Sequence, residues 1–343
     1  MQRPRLRPLA LAALAFGLAL AAGAASARSY AITDLGDLGG GVTHPKAIND
    51  RGMITGDSTR VHHHGENDGV MFLRVKSKLM SDPSRFVGPT MGLGVNDAGV
   101  VVGYFSHGTY EEPRMWTRAG EQAFPDGIFG RAAAINDAGA VTGEITGRNG
   151  KFVAQQAFRW QDGVLQELSP PAGFDLATGR AINAAGDIAG SIWTSGHTIE
   201  HPMMVVGDTT HDLGQVGDAG AGATGINASR AVCGTAWTSA GDRLFVWQAG
   251  AVTFAPETDD LRDARGNAIN DAGVVVGSAV RKKYGRHAAI LEDGELQDLN
   301  DLVVEKGGWQ LTDATSINNA GQIVGVGNLD GQHGHGFLLT PLD

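Results

Sequence analysis

A ten-residue phrase that recurs seven times constrains the fold of this chain more than any other feature. At 94–103 it reads Gly-Val-Asn-Asp-Ala-Gly-Val-Val-Val-Gly, and the copy at 268–277 differs only in its first two residues. The third residue is asparagine in every copy: Asn49, Asn96, Asn136, Asn183, Asn227, Asn270 and Asn318. Successive asparagines lie 40 to 48 residues apart, so seven such units account for the chain after residue 27. Repeats of this length are typical of the blades of a β-propeller.

Each unit is predicted to contain four short strands. The first ends at the Ile-Asn pair. The Asn-Asp-Ala-Gly segment that follows is typical of a tight turn, because Asn and Asp bond to their own backbone and Gly adopts positive φ. A β-branched run such as 100–102 forms the second strand. An apolar segment such as 243–247 forms the third, and a segment such as 296–299 forms the fourth.

The two ends of the chain supply the parts of one unit. The last unit stops soon after its third strand at 335–339, whereas residues 30–36 resemble the fourth-strand segment at 211–214. A closed ring requires such an offset, because it joins the two ends and removes an exposed sheet edge. The sequence therefore predicts an all-β fold. We expect a seven-bladed β-propeller, closed by the N-terminal strand completing the last blade, with residues 28–343 as a single domain.

Residues 1–27 are typical of a secretory signal peptide. Three arginines precede an apolar run at 9–24, and Ala-Ser-Ala at 25–27 is a small-x-small cleavage pattern. The apolar run is shorter than the roughly 20 residues that span a bilayer. We therefore expect cleavage after Ala27, a secreted or periplasmic protein, and no membrane span after signal cleavage.

The net charge of the mature chain excludes some classes of binding partner. Loss of the three arginines of the signal leaves 24 basic and 37 acidic residues, a net charge of −13. Nucleic acids and anionic membranes are polyanions, so neither is an expected partner. The lone cysteine, Cys233, has no second cysteine with which to form an internal disulfide. We expect a monomer that is stabilised by its core and requires no cofactor.

Two short motifs in the repeats resemble those of a known family. Third-strand triplets read Gln-Ala-Phe at 156–158, His-Ala-Ala at 287–289 and His-Gly-Phe at 335–337, and Asp-Leu-Gly occurs at 34–36 and 212–214. With the Ile-Asn-Asp-x-Gly phrase, these motifs resemble the bacterial extracellular HAF-repeat family, which is named for a His-Ala-Phe strand followed by an Asp-Leu-Gly segment. The resemblance implies export and a repetitive β fold, and it implies no defined catalytic activity.

The seven asparagines are interpreted as structural turn residues rather than metal ligands. A calcium loop of the EF-hand type needs alternating oxygen ligands and a distal glutamate, and the Asn-Asp-Ala-Gly segments have neither. The histidines are a second candidate for a metal site, but they match no metal-ligand spacing, so we predict no metal site. Six of the seven units have glycine at the last position of this turn, such as Gly52 in the first unit. The fifth unit has Arg230 there. Because positive φ is strained for a residue with a side chain, we predict a different turn there.

The loops supply the candidate ligand-binding residues. In a propeller the connections from strand two to three and from strand four to one share one face, and ten of the eleven histidines are predicted to lie toward it. Two tryptophans open variable loops in Trp-Thr-Ser segments, where exposed rings stack on sugars in many binding sites. The candidates are His62, His64, His107, Trp193, His197, Trp237 and His333.

The sequence favours a non-enzymatic binding module over an enzyme. The inner phrases are regular, the loops vary, and no catalytic constellation is identified, so no residue is assigned a catalytic role. The expected partner is an extracellular polymer or protein. The alternative is a secreted hydrolase or lyase acting on glycans or esters through the loop face. For an esterase, the candidate nucleophile is Ser58 and the candidate base is His333. The two could approach each other because units one and seven are neighbours in a closed ring.

Overall fold

The computed structural model describes residues 28–61, 67–81, 89–117, 119–125, 127–196 and 199–342. The predicted signal peptide at 1–27 and the candidates His62, His64 and His197 lie outside the described residues. The described residues form seven four-stranded antiparallel sheets whose first strands contact one another around a ring. The predicted fold, a seven-bladed β-propeller, is confirmed.

The strands of the first four blades follow the chain in order. Blade one contains β2 (Thr43–Ile48), β3 (Ile54–Val61), β4 (Asn67–Val75) and β5 (Lys78–Ser81). Blade two contains β6 (Thr90–Val95), β7 (Val101–Ser106), β8 (Glu111–Thr117) and β9 (Gly120–Ala123). Blade three contains β10 (Ile128–Ile135), β11 (Val141–Arg148), β12 (Lys151–Gln161) and β13 (Val164–Leu168). Blade four contains β14 (Leu176–Ile182), β15 (Ile188–Trp193), β16 (His201–Val206) and β17 (Thr209–Asp212).

The last three blades include the helix and the closing strand. Blade five contains β18 (Ala221–Ile226), β19 (Val232–Thr238), β20 (Gly241–Gln248) and β21 (Ala251–Phe254). Blade six contains β22 (Leu261–Ile269), β23 (Val275–Arg281), β24 (Gly285–Glu292) and β25 (Glu295–Asp298), and the short helix α1 (Leu299–Leu302) follows it. Blade seven contains β26 (Trp309–Ile317), β27 (Ile323–Leu329), β28 (Gln332–Leu342) and β1 (Ser29–Asp34).

The closure of the ring matches the sequence prediction. Strand β1 pairs antiparallel with β28, with Ser29 opposite Leu342 and Asp34 opposite Phe337. The N-terminal strand is therefore the outermost strand of the last blade. Its backbone groups hydrogen-bond beside the C-terminal strand instead of leaving the edge of that strand unpaired.

Each first strand faces the central channel, and each fourth strand lies at the outside of the ring. We call the side with the connections from strand two to three and from strand four to one the loop face. The opposite side, with the connections from strand one to two and from strand three to four, is the turn face. The only helix among the described residues, Leu299–Leu302, has four residues. It is too short to cross a bilayer.

The glycine that ends each repeated phrase is required by a close approach of two strands. At Gly103 an added Cβ would overlap the carbonyl oxygen of Met91 on the first strand of the same blade. The equivalent glycine of every other blade meets the same obstruction. In blades three, five and seven a fully buried third-strand phenylalanine, such as Phe158, packs over this glycine. The phrase therefore fixes how the first three strands of a blade pack together.

Candidate functional site

The seven asparagines form a closed hydrogen-bonded ring around the channel near the turn face. The Nδ2 of each donates to the backbone oxygen of the next blade's asparagine at 2.7–3.3 Å. Asn318 donates to Asn49 and so completes the circle across the joined ends of the chain. Each Oδ1 also accepts the backbone N–H four residues later at 2.8–3.0 Å. The contact between blades is a role that turn chemistry alone did not predict.

The predicted exception at Arg230 is wrong. Arg230 has φ of +61° and its N–H donates to the Asn227 oxygen at 3.0 Å, which is the bond that the glycine of each other unit makes. Its guanidinium bonds to the buried carboxylate of Asp187 in the neighbouring blade at 2.8 and 3.4 Å. This ion pair explains why a strained backbone is retained, because it compensates a carboxylate that burial would otherwise leave without a cation.

Every first strand has a β-bulge three residues before its ring asparagine. The register of the strand pair skips one residue there in each blade. A bulge re-aims the side chain of the extra residue. We call these seven residues the bulge layer: Lys46, Leu93, Ala133, Arg180, Thr224, Asn267 and Thr315.

The bulge layer lines a cavity on the axis of the ring. The cavity has a volume of about 290 Å³, and five bulge-layer residues from blades one to five line it, together with Arg131 and Glu144. Residues from five separate blades meet only at the centre of a ring, so the cavity is part of the channel.

Some of the charged side chains beside this cavity have hydrogen-bond or ion-pair partners, and others have none among the described residues. The Arg131 guanidinium bonds to both carboxylate oxygens of Glu111 at 2.9 and 2.6 Å. Glu144 accepts from Thr178 at 3.0 Å and also from Gln155. The side chains of Lys46 and Arg180 form no hydrogen bond or ion pair with any part of the chain that the structure describes. The cavity therefore presents two cationic side chains from opposite sides of the ring.

The four described candidate residues lie toward the loop face but on different blades. Trp193 is the last residue of the second strand of blade four, Trp237 is the penultimate residue of that of blade five, and both are half-buried. His107 is in blade two, where its Nε2 lies 2.9 Å from Glu112, and His333 is in blade seven. The structure does not bring these four residues together into one site.

Histidines at the start of third strands bond to aspartates of the fourth strand in the same blade. His201 Nδ1 lies 3.0 Å from Asp212, and His287 Nδ1 lies 2.6 Å from Asp298. In both blades the other function of the aspartate is to cap the turn that follows, as Asp212 does by accepting the N–H of Gly214. In blades four and six, the histidine position of the His-Ala-Phe motif thus bonds to the aspartate position of the Asp-Leu-Gly motif. Sequence reasoning quoted both motifs without joining them, although their recurrence in the same units was the available signal.

A pocket between blades six and seven departs from the repeat. The connection at 299–308, which contains α1, is longer than most of its counterparts. The pocket has a volume of about 320 Å³ and is lined partly by Tyr284, His287, Trp309 and Gln310. Because His287 Nδ1 donates to Asp298, its Nε2 accepts the Gln310 amide at 3.3 Å.

The charges of Asp298 and Arg281 beside that pocket compensate each other. Burial raises the pKa of Asp298, but hydrogen bonds from His287 and Asn300 outweigh burial and lower the pKa overall. Asp298 also bonds to Arg281, whose pKa is raised by hydrogen bonds to Asp301 and Asp298. This network holds the His287 side of the pocket wall in place, while the exposed Lys306 also lines the pocket.

An exposed row of aromatic rings crosses from blade two to blade three on the loop face. Ring centroids are 4.4 Å apart for His107 and Tyr110, 4.1 Å for Tyr110 and Phe129, and 6.2 Å for Phe129 and Phe152. The row is accessible, because Phe152 exposes 71% of its surface. Gly147 leaves room for the Phe129 ring, which a Cβ there would strike. We call these four rings the aromatic row. Sequence reasoning found only His107 of this group, because the other three rings come together through the packing of two blades.

Ser58, the candidate nucleophile of the esterase alternative, has a structural role. Ser58 is fully buried, its hydroxyl lies 3.0 Å from that of Thr43, and it donates to the Val42 oxygen at 2.9 Å. His333 is exposed and bonds to Asn328 at 2.7 Å. The segments do approach, since Gly334 lies against Val42, but the two proposed catalytic groups are not bonded to each other.

Cys233 is buried and unreactive in character. It is fully inaccessible, and burial raises the pKa of its thiol to about 12. The described residues hold no group of three or more His, Cys, Asp or Glu side chains arranged to bind a metal ion.

No protein-family model and no curated protein matches this chain. Among solved structures, it is similar to the acylaminoacyl peptidase of Pyrococcus horikoshii, with a TM-score of 0.56, 9% identity, and coverage of 88% of this chain and 52% of that chain. It is also similar to a puromycin-hydrolyzing peptidase of Mycobacterium tuberculosis, with a TM-score of 0.57, 12% identity, and coverage of 84% and 49%. The chain spans about half the length of these two peptidases. At such low identity the likeness concerns the fold alone.

Proposed function

We propose that this protein is an exported, non-enzymatic binding module whose loop face binds an extracellular polymer, a polysaccharide in the first instance. The observation that carries the proposal is the aromatic row. Successive rings of His107, Tyr110 and Phe129 are stacked, and Phe152 is the most exposed large apolar side chain in the described part of the chain. Contiguous exposed apolar surface on a soluble protein marks an interaction site.

The chemistry of the row favours a sugar over a purely apolar partner. Aromatic faces pack against the C–H face of a sugar ring while neighbouring polar groups bond to its hydroxyls. Beside the row, Glu112 bonds to His107 and Arg114, and Glu111 bonds to Arg131. An apolar platform bordered by carboxylates and guanidinium groups offers both kinds of contact.

The hydrolase or lyase alternative is not favoured by the geometry. The buried Ser58 hydroxyl is engaged by the backbone and by Thr43, so it is not available as a nucleophile. The His201–Asp212 and His287–Asp298 pairs link neighbouring strands of one blade. Their repetition in two blades supports a structural role and the proposed relationship to the HAF-repeat family.

The binding experiment compares matched apolar truncations. A glycan array and isothermal titration with any bound oligosaccharide are performed on the chain from residue 28. We expect Phe152→Ala and Tyr110→Ala to weaken binding by about tenfold each, since ring truncation at a binding site typically costs 1 kcal/mol or more. Val164→Ala is the control, because Val164 is 68% exposed but lies on the outer strand of the blade.

Two results would count against the proposal. If the protein binds glycans and the control loses as much affinity as Phe152→Ala, the aromatic row is not the site. If no glycan binds but an extracellular protein does so through the same residues, the partner is a protein instead. Export has its own test: mass spectrometry of the protein secreted by its host should give Arg28 as the first residue, whereas an intact N-terminus would contradict signal cleavage.

A further inference from the structure

The polar members of the bulge layer divide into two groups. Thr224, Asn267 and Thr315 each donate at 2.8 Å to the carbonyl oxygen that precedes the bulge residue of the next blade. These three side chains therefore connect neighbouring blades. Lys46 and Arg180 occupy the same position in blades one and four and make no such bond within the described residues. Their charged ends are not needed to connect the blades.

The same two cations border one cavity from across the ring. Blades two and three lie between Lys46 and Arg180 along the chain, and both cations line the 290 Å³ cavity on the axis. Leu93 and Ala133 lie between them, and these apolar side chains do not compete for a ligand's charge. Arg180 is exposed, so solvent and small solutes reach its guanidinium.

The remaining ionic groups beside the cavity are already neutralised or bonded. Arg131 pairs with Glu111 and lies 3.9 Å from Glu144, whose carboxylate also accepts from Thr178 and Gln155, so these three residues leave one negative charge against the two cations of Lys46 and Arg180. Lys46 lies close enough to Asp313 to lower the pKa of that carboxyl, but burial raises this pKa more strongly. The excess charge that faces the cavity is therefore positive, in a protein whose net charge is −10.

We propose that the channel is a binding site for a small carboxylate, which lies on the axis between Arg180 and Lys46. The planar guanidinium fork of Arg180 matches the two oxygens of a carboxylate, and Lys46 supplies a point charge on the opposite side. A cavity of this volume holds a small organic acid or one acidic sugar unit. Arg180 and Lys46 are not part of the aromatic row or of its polar border, so variants at these two residues test the site independently of the proposed polysaccharide binding.

The test measures binding of sodium citrate and of sodium D-glucuronate by isothermal titration to the chain from residue 28. Sodium sulfate and neutral glucose are run at matched ionic strength. We expect saturable binding of at least one carboxylate, weakened about tenfold or more by Arg180→Gln and by Lys46→Gln, since a charge-assisted bond contributes that much. Arg51→Gln is the control, because Arg51 is a cation of the turn face with 70% of its side chain exposed.

The outcomes separate the sources of the ligand and the possible failures. Preference for glucuronate supports an acidic sugar, and preference for citrate supports a free organic acid; both support the site. Sulfate binding as tight as either carboxylate would overturn the proposed ligand class. Absence of carboxylate binding, or binding that Arg180→Gln and Lys46→Gln leave unchanged, would overturn the site itself. Circular dichroism of each variant confirms folding, which the exposed position of Arg180 leads us to expect.

Discussion

Replacing Asn96 by alanine removes one member of the asparagine ring. Asn96 is 4% exposed, and its side chain makes three hydrogen bonds. Its Nδ2 donates to the Asn136 oxygen at 3.2 Å, and its Oδ1 accepts the N–H groups of Ala98 and Val100 at 3.1 and 3.0 Å. At about 1 kcal/mol for each bond, the expected loss in the free energy of unfolding is roughly 3 kcal/mol. That is a large share of the roughly 5–15 kcal/mol that stabilises a typical domain.

A second variant separates the bonds within the turn from the bond between blades. Asn96→Asp keeps both acceptor bonds but replaces the Nδ2 donor with a carboxylate oxygen that faces the Asn136 carbonyl. Two oxygens without a proton repel each other, so we expect this variant to be destabilised at neutral pH. Protonation of the introduced carboxyl restores a donor, so its deficit should shrink as the pH falls.

Urea unfolding followed by tryptophan fluorescence measures these effects. The control is Asp97→Ala, because alanine occupies the equivalent position naturally at Ala184 and Ala228. We expect the control to change stability by less than about 1 kcal/mol, as exposed polar contacts do. If Asn96→Ala is no more destabilising than Asp97→Ala, the ring does not contribute to stability as argued. If the deficit of Asn96→Asp is independent of pH, the bond between blades is not the relevant one.

Three further predictions concern Cys233, Arg230 and Asp313. Cys233, whose pKa burial raises to about 12, should react with a thiol reagent only after denaturation, and rapid labelling of the native protein at about pH 8 would contradict its placement. Arg230→Ala should melt below Arg230→Gly, because alanine keeps the left-handed strain at φ +61° while both variants lose the ion pair to Asp187; the reverse order would show that strain is unimportant. Burial raises the pKa of Asp313 above its ordinary 3.8, so the native state holds this proton more tightly and stability falls as pH rises through the raised value. Unfolding measured across that window should show Asp313→Asn gaining stability relative to the parent as pH rises, and a gain on lowering the pH would refute the assignment.

The sequence alone was sufficient for the architecture because the architecture is repeated. Seven copies of one phrase, the four-strand pattern of each unit and the split last unit together predicted the ring and its closing pair of strands. The same repetition explains the one local failure. The sequence pattern did not reveal the ion-pair partner of Arg230. Asp187 lies in the preceding unit, and its approach to Arg230 depends on how two blades pack.

The candidate sites could be predicted only in part, because they consist of residues that the repeat does not specify. His107 was singled out from the sequence, but its neighbours in the aromatic row come from two blades, and Phe129 lies on a first strand that the sequence marks only as scaffold. Lys46 and Arg180 are separated by 134 positions and share nothing but their place before the ring asparagine.

What the chain determines by itself is therefore local and periodic: turns, strand alternation and the glycine that lets two strands approach. The tertiary structure decides which non-periodic side chains meet, because neighbouring blades bring together residues about 45 positions apart and the channel brings together residues from the whole ring. The asparagine ring shows both contributions. Its turns could be predicted from seven local phrases. Its hydrogen bonds from blade to blade form only when the ring of blades has closed.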